Sequence, residues 1–225
     1  MPQHISTAYD DDLLLISGKL TEMGGICEEM LNKSLQAILK NQSDLAQSII
    51  QTDEKVDELE NEIEELIIRT IALRQPVAND LRVVFSAIKI STSLERIGDL
   101  TKNIAKRTLL ISDEHPLRLR QPIYNLGTRV HQQLTKALNA QSERNSELAR
   151  EIWYEDYQID EIYSMLLDEL LEYLKKKKQV NVGSHLMFVA KNLERIGDHT
   201  TLISEMVHFV ITGQSIGEDR PKISI

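Results

Sequence analysis

Two stretches of this chain carry the same run of residues. "SLERIGDLTKNIA" starts at Ser93 and "NLERIGDHTTLIS" starts at Asn192. Each sets a glutamate and an aspartate four residues apart, Glu95 with Asp99 and Glu194 with Asp198. A second pair of related segments, "DEKVDEL" from Asp53 and "DYQIDEI" from Asp156, adds Asp53 with Asp57 and Asp156 with Asp160. On a helix, residues four apart are surface neighbours, and like charges there repel by about 0.2–0.5 kcal/mol per pair. Three things could offset a repulsion repeated four times. Arg96 and Arg195 lie beside the acids, salt screens exposed charge, and carboxylates from two adjacent helices offer oxygen ligands to a cation. With no consistent histidine or thiolate in the pattern, such a site would take a hard or borderline ion: magnesium, manganese, calcium or iron. Acid-rich faces are also ordinary on charged helical bundles, so a solvated surface is the alternative. Gly98 and Gly197, between the acids, weigh against it. Each glycine costs about 1 kcal/mol against alanine inside a helix, and each would let a helix or ligand approach the backbone.

The elements that must hold these acids are legible from apolar spacing. Leu13, Ile16, Leu20, Met23, Cys27 and Met30 recur at steps of three and four. So do Ile49, Thr52, Val56, Leu59, Ile63, Leu66, Thr70 and Leu73, and again Ala87, Ile90, Leu94, Ile97, Thr101, Ile104, Thr108 and Ile111. That period predicts helices packed at shallow angles. The breaks fall at Asn41–Asp44 and at "RQPVAND", where Pro76 stops one helix before the next begins. After Pro116 the scheme repeats. A fourth helix runs over about 118–140 and "AQSERNSE" interrupts it. A fifth carries Ile152, Ile159, Ile162, Leu166 and Tyr173. A sixth carries Leu186, Val189, Leu193, Ile196, Thr200, Ile203 and Val207, and stops near Gly213. The third and sixth helices align at an offset of 99, the second and fifth at 103. The second half is therefore about one turn shorter between its last two helices. The expectation is an all-α protein of two tandem three-helix bundles with up-down packing, 1–114 and 115–213, followed by a frayed tail over 214–225. In heptad terms all eight acids fall off the core, facing outward.

Composition supports the fold class and narrows function. The chain of 225 residues is 41% hydrophobic but only 4% aromatic, with 9 glycines and 5 prolines, and it lacks strand-like runs. A net charge of −9 argues against nucleic acid as a partner. The basic run Lys175–Lys178 ends a helix, where cations complement the dipole. The first twenty residues lack the basic and apolar regions of a signal peptide, and no window is apolar enough to span a membrane. The one cysteine, Cys27, falls in an apolar stripe and permits no internal disulfide. A cytoplasmic protein is expected.

"RQPVANDLR" at 74–82, "LERIGDLTKNIA" at 94–105 and "NLERIGDHT" at 192–200 together resemble the PhoU family, the accessory proteins of bacterial phosphate-specific transport. The likeness covers nearly the whole chain and both halves. It implies a tandem of similar three-helix bundles and multinuclear metal clusters, often of iron or zinc, on E(D)xxxD motifs. Carried over by position, the ligands would be Asp53, Asp57, Glu95 and Asp99, then Asp156, Asp160, Glu194 and Asp198. It further implies a homodimeric negative regulator of phosphate uptake and starvation signalling, peripheral to a membrane complex. Its expected partners are the ATPase subunit of the phosphate ABC transporter and a phosphate sensor histidine kinase. The halves differ beyond the acid pairs, as at Asn103 and Leu202, so equal clusters do not follow.

Other readings are weaker. Di-iron enzymes built on bundles place Glu and a pair of Glu-x-x-His motifs inside the core; this chain has a single Glu-x-x-His, at Glu205 and His208, and no second to pair with it. No Walker A motif, nucleophile elbow or glycine-rich phosphate loop is present, so no enzyme is expected. A phosphate receptor would need a basic, glycine-lined pocket. A metal-free helical adaptor remains the main alternative.

Overall fold

The computed structural model describes residues 3–111 and 116–217. Side chains of residues 3–7, 117 and 177 are excluded from that description. The boundary expected between 114 and 115, and most of the expected tail, fall outside the described residues. Within them the chain is all-α. Helix α1 spans Gln3–Lys40, α2 Ser43–Arg74 and α3 Asn79–Leu110. The second half follows as α4 Leu117–Glu143, α5 Ser146–Glu155, α6 Tyr157–Leu174 and α7 Val180–Thr212, with one 3-10 turn at Lys177–Gln179 before α7. These make two similar three-helix bundles, α1–α2–α3 and α4–(α5, α6)–α7.

The third and seventh helices form the stripes the spacing predicts. Leu94, Ile97, Thr101, Ile104 and Thr108 are buried, as are Leu193, Ile196, Thr200, Ile203 and Val207. The threonines sit in this apolar seam because their hydroxyls bond back along the helix, Thr101 to the Ile97 carbonyl and Thr200 to that of Ile196. Cys27 is fully buried and donates to the Leu94 carbonyl at 3.2 Å; burial raises its thiol, as a core position requires.

The bundles pack on each other mainly through α3 against α7, and also through α1 against α4. A repeat offset of 103 relates α1 to α4 and exchanges two contacts. A Cβ on Gly24 would strike Leu138, and one on Gly127 would strike Leu35. Small residue meets large residue twice, once on each side of the pseudo-symmetry axis. Because α3 and α7 run antiparallel, Arg107 of α3 reaches the opposite end of α7, 4.1 Å from the Phe188 ring centroid and 3.3 Å from His185 Nδ1.

Two sequence expectations need correction. The fifth helix is broken at Asp156, one of the candidate ligands. That residue keeps right-handed helical dihedrals (φ −60°, ψ −32°), but Ile159 N–H bonds the Asp156 carbonyl at 2.9 Å, tightening the turn. The second stripe is buried as expected at Ile49, Val56, Leu59, Ile63 and Thr70, but Asp53 and Ile67 are buried beside it and Leu73 is exposed. Helix α2 is covered from two sides, by α1 and α3, so its buried face is wider than one heptad seam.

Candidate metal centres

Two of the eight acids lie in the interior. Asp53 is 3% exposed and Asp156 is 1% exposed, so the expectation that all eight acids face outward is wrong at these positions. Glu95 and Glu194, with side chains each 15% exposed, are also largely covered. Asp99, Asp160 and Asp198 are half-buried, and Asp57 alone is fully outside. The glycine of each LERIGD run allows a close approach. A Cβ at Gly98 would lie 3.1 Å from Val56 Cγ1 and 3.4 Å from Asp53 Oδ1. One at Gly197 would lie 3.1 Å from Ile159 Cδ1 and 3.4 Å from Gln133 Oε1. Gly98 lets α2 approach α3 until the Asp53 carboxylate is sealed between them, while Gly197 admits Ile159 and the Gln133 amide, which in turn donates to Asp156.

In the first half the acids form one electrostatic cluster. Burial raises Asp53, its bond to Lys102 lowers it, and Asp57 and Asp99 raise it further. Burial pushes Glu95 up to about 7, opposed by Arg96 and aided by Asp99, Glu60 and Asp57. Glu60 belongs to the same set and is itself raised by burial and by Glu64, while Arg96 and a hydrogen bond with Thr92 lower it. Glu60 is not among the expected ligands, although it continues the ladder Asp53, Asp57, Glu60 and Glu64 along α2.

Two cations are built into this cluster. Arg96 approaches Glu95 at 3.4 Å and Asp99 at 3.7 Å. Lys102 is the more committed: its ammonium bonds Asp53 Oδ2 and lies 2.6 Å from Asp99 Oδ1. Burial alone would lower this lysine, but the two carboxylates outweigh that and raise it. Asp53 Oδ1 is left buried with no hydrogen-bond donor among the described residues.

The second half keeps the carboxylates and changes their company. Asp156 Oδ1 accepts from Gln133 Nε2 at 2.9 Å and from Thr201 Oγ1 at 2.9 Å. Under the repeat offsets, Gln133 stands where the first half has Met30, and Thr201 where it has Lys102. Glu194 pairs with Lys191 at 2.7 Å, and Lys191 lies 5.5 Å from the Tyr163 ring centroid. Burial and the nearby Arg195 and Arg96 hold His199 below its ordinary value, which keeps it neutral where α3 meets α7. Gln133 is a site residue that sequence reasoning missed; its signal was a lone amide in the apolar stripe of α4.

The structure thus gathers Asp53, Asp57, Glu95 and Asp99 on adjoining faces of α2 and α3. The repeat sets Asp156, Asp160, Glu194 and Asp198 at the equivalent places on α5, α6 and α7. Oxygen-only donors, a buried carboxylate oxygen without a donor and a carboxyl raised by burial and by neighbouring acids all suit a hard cation. As placed, the side chains turn to Lys102 and Arg96 rather than to a shared point. Among the described residues, no three or more His, Cys, Asp or Glu groups are arranged to hold a metal ion.

Fold and site together define a duplicated three-helix bundle whose halves each present an acid-lined face on the second and third helices. The PhoU domain profile matches twice, at residues 20–108 and 123–207. A Caulobacter vibrioides protein described as "Phosphate-specific transport system accessory protein PhoU homolog" is 40% identical over 227 residues, covering 100% of this chain and 99% of the relative. A Rhizobium meliloti protein of the same description is 39% identical, covering 97% and 93%. Among solved structures, PhoU from Pseudomonas aeruginosa superimposes with a TM-score of 0.89 at 30% identity, covering 92% of this chain and all of that one. The "phosphate transport system regulatory protein PhoU" from Streptococcus pneumoniae gives 0.86 at 26% identity, covering 93% and 100%. The chain belongs to the PhoU family.

Proposed function

We propose that this protein is an accessory regulator of phosphate transport that restrains phosphate uptake and phosphate-starvation signalling. It works in the cytoplasm, as a homodimer, on the ATPase subunit of the phosphate ABC transporter and on a sensor histidine kinase. The observation that carries this reading is the double PhoU match, backed by relatives of nearly equal length described as accessory proteins of phosphate-specific transport. No helix among the described residues is long and apolar enough to cross a membrane, in keeping with a peripheral role. In this reading its role is regulatory rather than catalytic. Deleting the gene should switch on starvation reporters in phosphate-replete cells, and the wild-type copy should silence them. Unchanged reporters after deletion would refute the role.

In this reading each acidic face holds divalent or trivalent cations: Asp53, Asp57, Glu95 and Asp99 in the first half, Asp156, Asp160, Glu194 and Asp198 in the second. Iron, zinc, manganese and magnesium are the candidates. Bound cations would lend an acidic surface a local positive field for phosphate or for a partner's carboxylates. Elemental analysis of protein purified without chelator tests this directly. A second reading, a metal-free adaptor, is favoured by one specific observation: Lys102 and Arg96 already neutralise part of the first cluster. Absence of stoichiometric metal, with regulation intact in the Glu95→Ala, Asp99→Ala double variant, would select it.

A further inference from the structure

The two faces differ most at one position. On α3 Lys102 projects into the acidic cluster; on α7 the equivalent Thr201 offers a short neutral hydroxyl. The Lys102 side chain is 20% exposed, less than any other lysine in the ion pairs of this structure. It bridges Asp53 of α2 and Asp99 of α3, the two helices that any cation on this face would also have to join. The remaining Asp53 oxygen is buried and without a donor among the described residues, so the ammonium leaves part of this carboxylate unsatisfied.

We propose that Lys102 is a built-in counter-ion that competes with divalent cations for the first acidic face, and so sets the affinity of that face below what its carboxylates alone would give. This rests on the metal-binding reading above and deepens it. An ammonium and a divalent ion cannot share the space between Asp53 and Asp99, because like charges at contact distance in a partly buried site repel strongly. For a cation to enter, Lys102 must swing out to solvent, which its flexible four-carbon stem allows. Metal binding at this face is therefore an exchange of one cation for another. The second face involves no such exchange at Thr201.

Manganese(II) titration of the full-length protein, with free ion read by electron paramagnetic resonance, tests this. The Glu194→Gln, Asp198→Asn background weakens the second face so that the first is read alone. Lys102→Thr, which installs the second half's own residue, should tighten Mn(II) binding in that background by tenfold or more. Lys102→Arg, which keeps the charge, should remain weak. The melting temperature of metal-free Lys102→Thr should fall, and Mn(II) should restore it. Lys102→Met keeps the apolar stem and serves if the threonine variant folds poorly. Equal or weaker Mn(II) binding by Lys102→Thr and Lys102→Met, or tight binding by Lys102→Arg, overturns the proposal. If wild type binds Mn(II) and removing Lys102 changes nothing, this inference fails and the metal reading stands. If no form, wild type included, binds Mn(II), both fail.

Discussion

The two halves bury a carboxylate at equivalent places of the repeat and then treat it differently. Asp53 meets a lysine, within a cluster that includes Asp57, Glu60, Glu95 and Asp99. Asp156 meets an amide and a hydroxyl at the point where its own helix breaks. A buried ion pair is costly to break from one side, because the surviving charge is left in a poorly solvated place. A buried carboxylate held by neutral donors loses less when one donor goes. Duplication preserved the backbone and the acids, while the surrounding polar chemistry diverged.

That contrast predicts unequal damage. Asp53→Ala strands Lys102 against Asp99 alone and should destabilise the protein by about 3 kcal/mol in urea or thermal melts. A loss below about 1 kcal/mol would mean that the first half does not depend on the pair.

The next effect is electrostatic and belongs to the first half. Glu95 holds its proton up to about pH 7, against an ordinary 4.5 for glutamate. Between those values the folded state binds a proton that the unfolded state has released, so stability falls as pH rises through this window. For metal-free protein, Glu95→Gln should remove that slope and gain about 2 kcal/mol at pH 8 relative to wild type. Parallel stability–pH curves for the two proteins would show that Glu95 is not held in this way. A bound divalent cation should flatten the wild-type slope as well.

In the second half, Gln133→Met installs the first half's residue and removes one donor to Asp156. It also removes the unsatisfied Gln133 Oε1, so the net loss should be only about 1 kcal/mol. A loss as large as that of Asp53→Ala would erase the distinction between the halves.

Much of this architecture was readable in advance, and the misses have physical causes. The stripes of α3 and α7 fall inside their buried faces, which run wider because α3 packs on α1, α2 and α7, and α7 on α3, α4, α5 and α6. Helix α2 is likewise buried more widely than one heptad face, between α1 and α3. Thr52 was placed inward, while Asp53 took the interior. The break at Asp156 left no proline or glycine to announce it, since its dihedrals stay helical. The eight acids were identifiable as a set from spacing and repeat, but their burial depended on helix approach that spacing alone does not report. Lys102 gave no signal as a site residue, because it acts through a partner 49 positions away, and Gln133 gave only the weak one of an amide in the apolar stripe of α4.

The smallest predicted difference concerns the glycines that make this approach possible. Alanine at position 98 or 197 would gain about 1 kcal/mol of helix propensity and place its Cβ 3.1 Å from a side-chain carbon. The neighbours differ in how far they can yield. At Gly197 the contact is Ile159 Cδ1, the end of a side chain free to rotate about its second torsion. At Gly98 it is Val56 Cγ1, fixed by a branched β-carbon with one strongly preferred rotamer in a helix, and Asp53 lies just behind it. Gly197→Ala should therefore leave the melting temperature within a degree or two of wild type. Gly98→Ala should lower it by several degrees, corresponding to about 1 kcal/mol for a clash that propensity only partly offsets. In the reverse ranking, α2 would be the helix that moves and the carboxylate beneath Gly98 would be less tightly sealed than its twin.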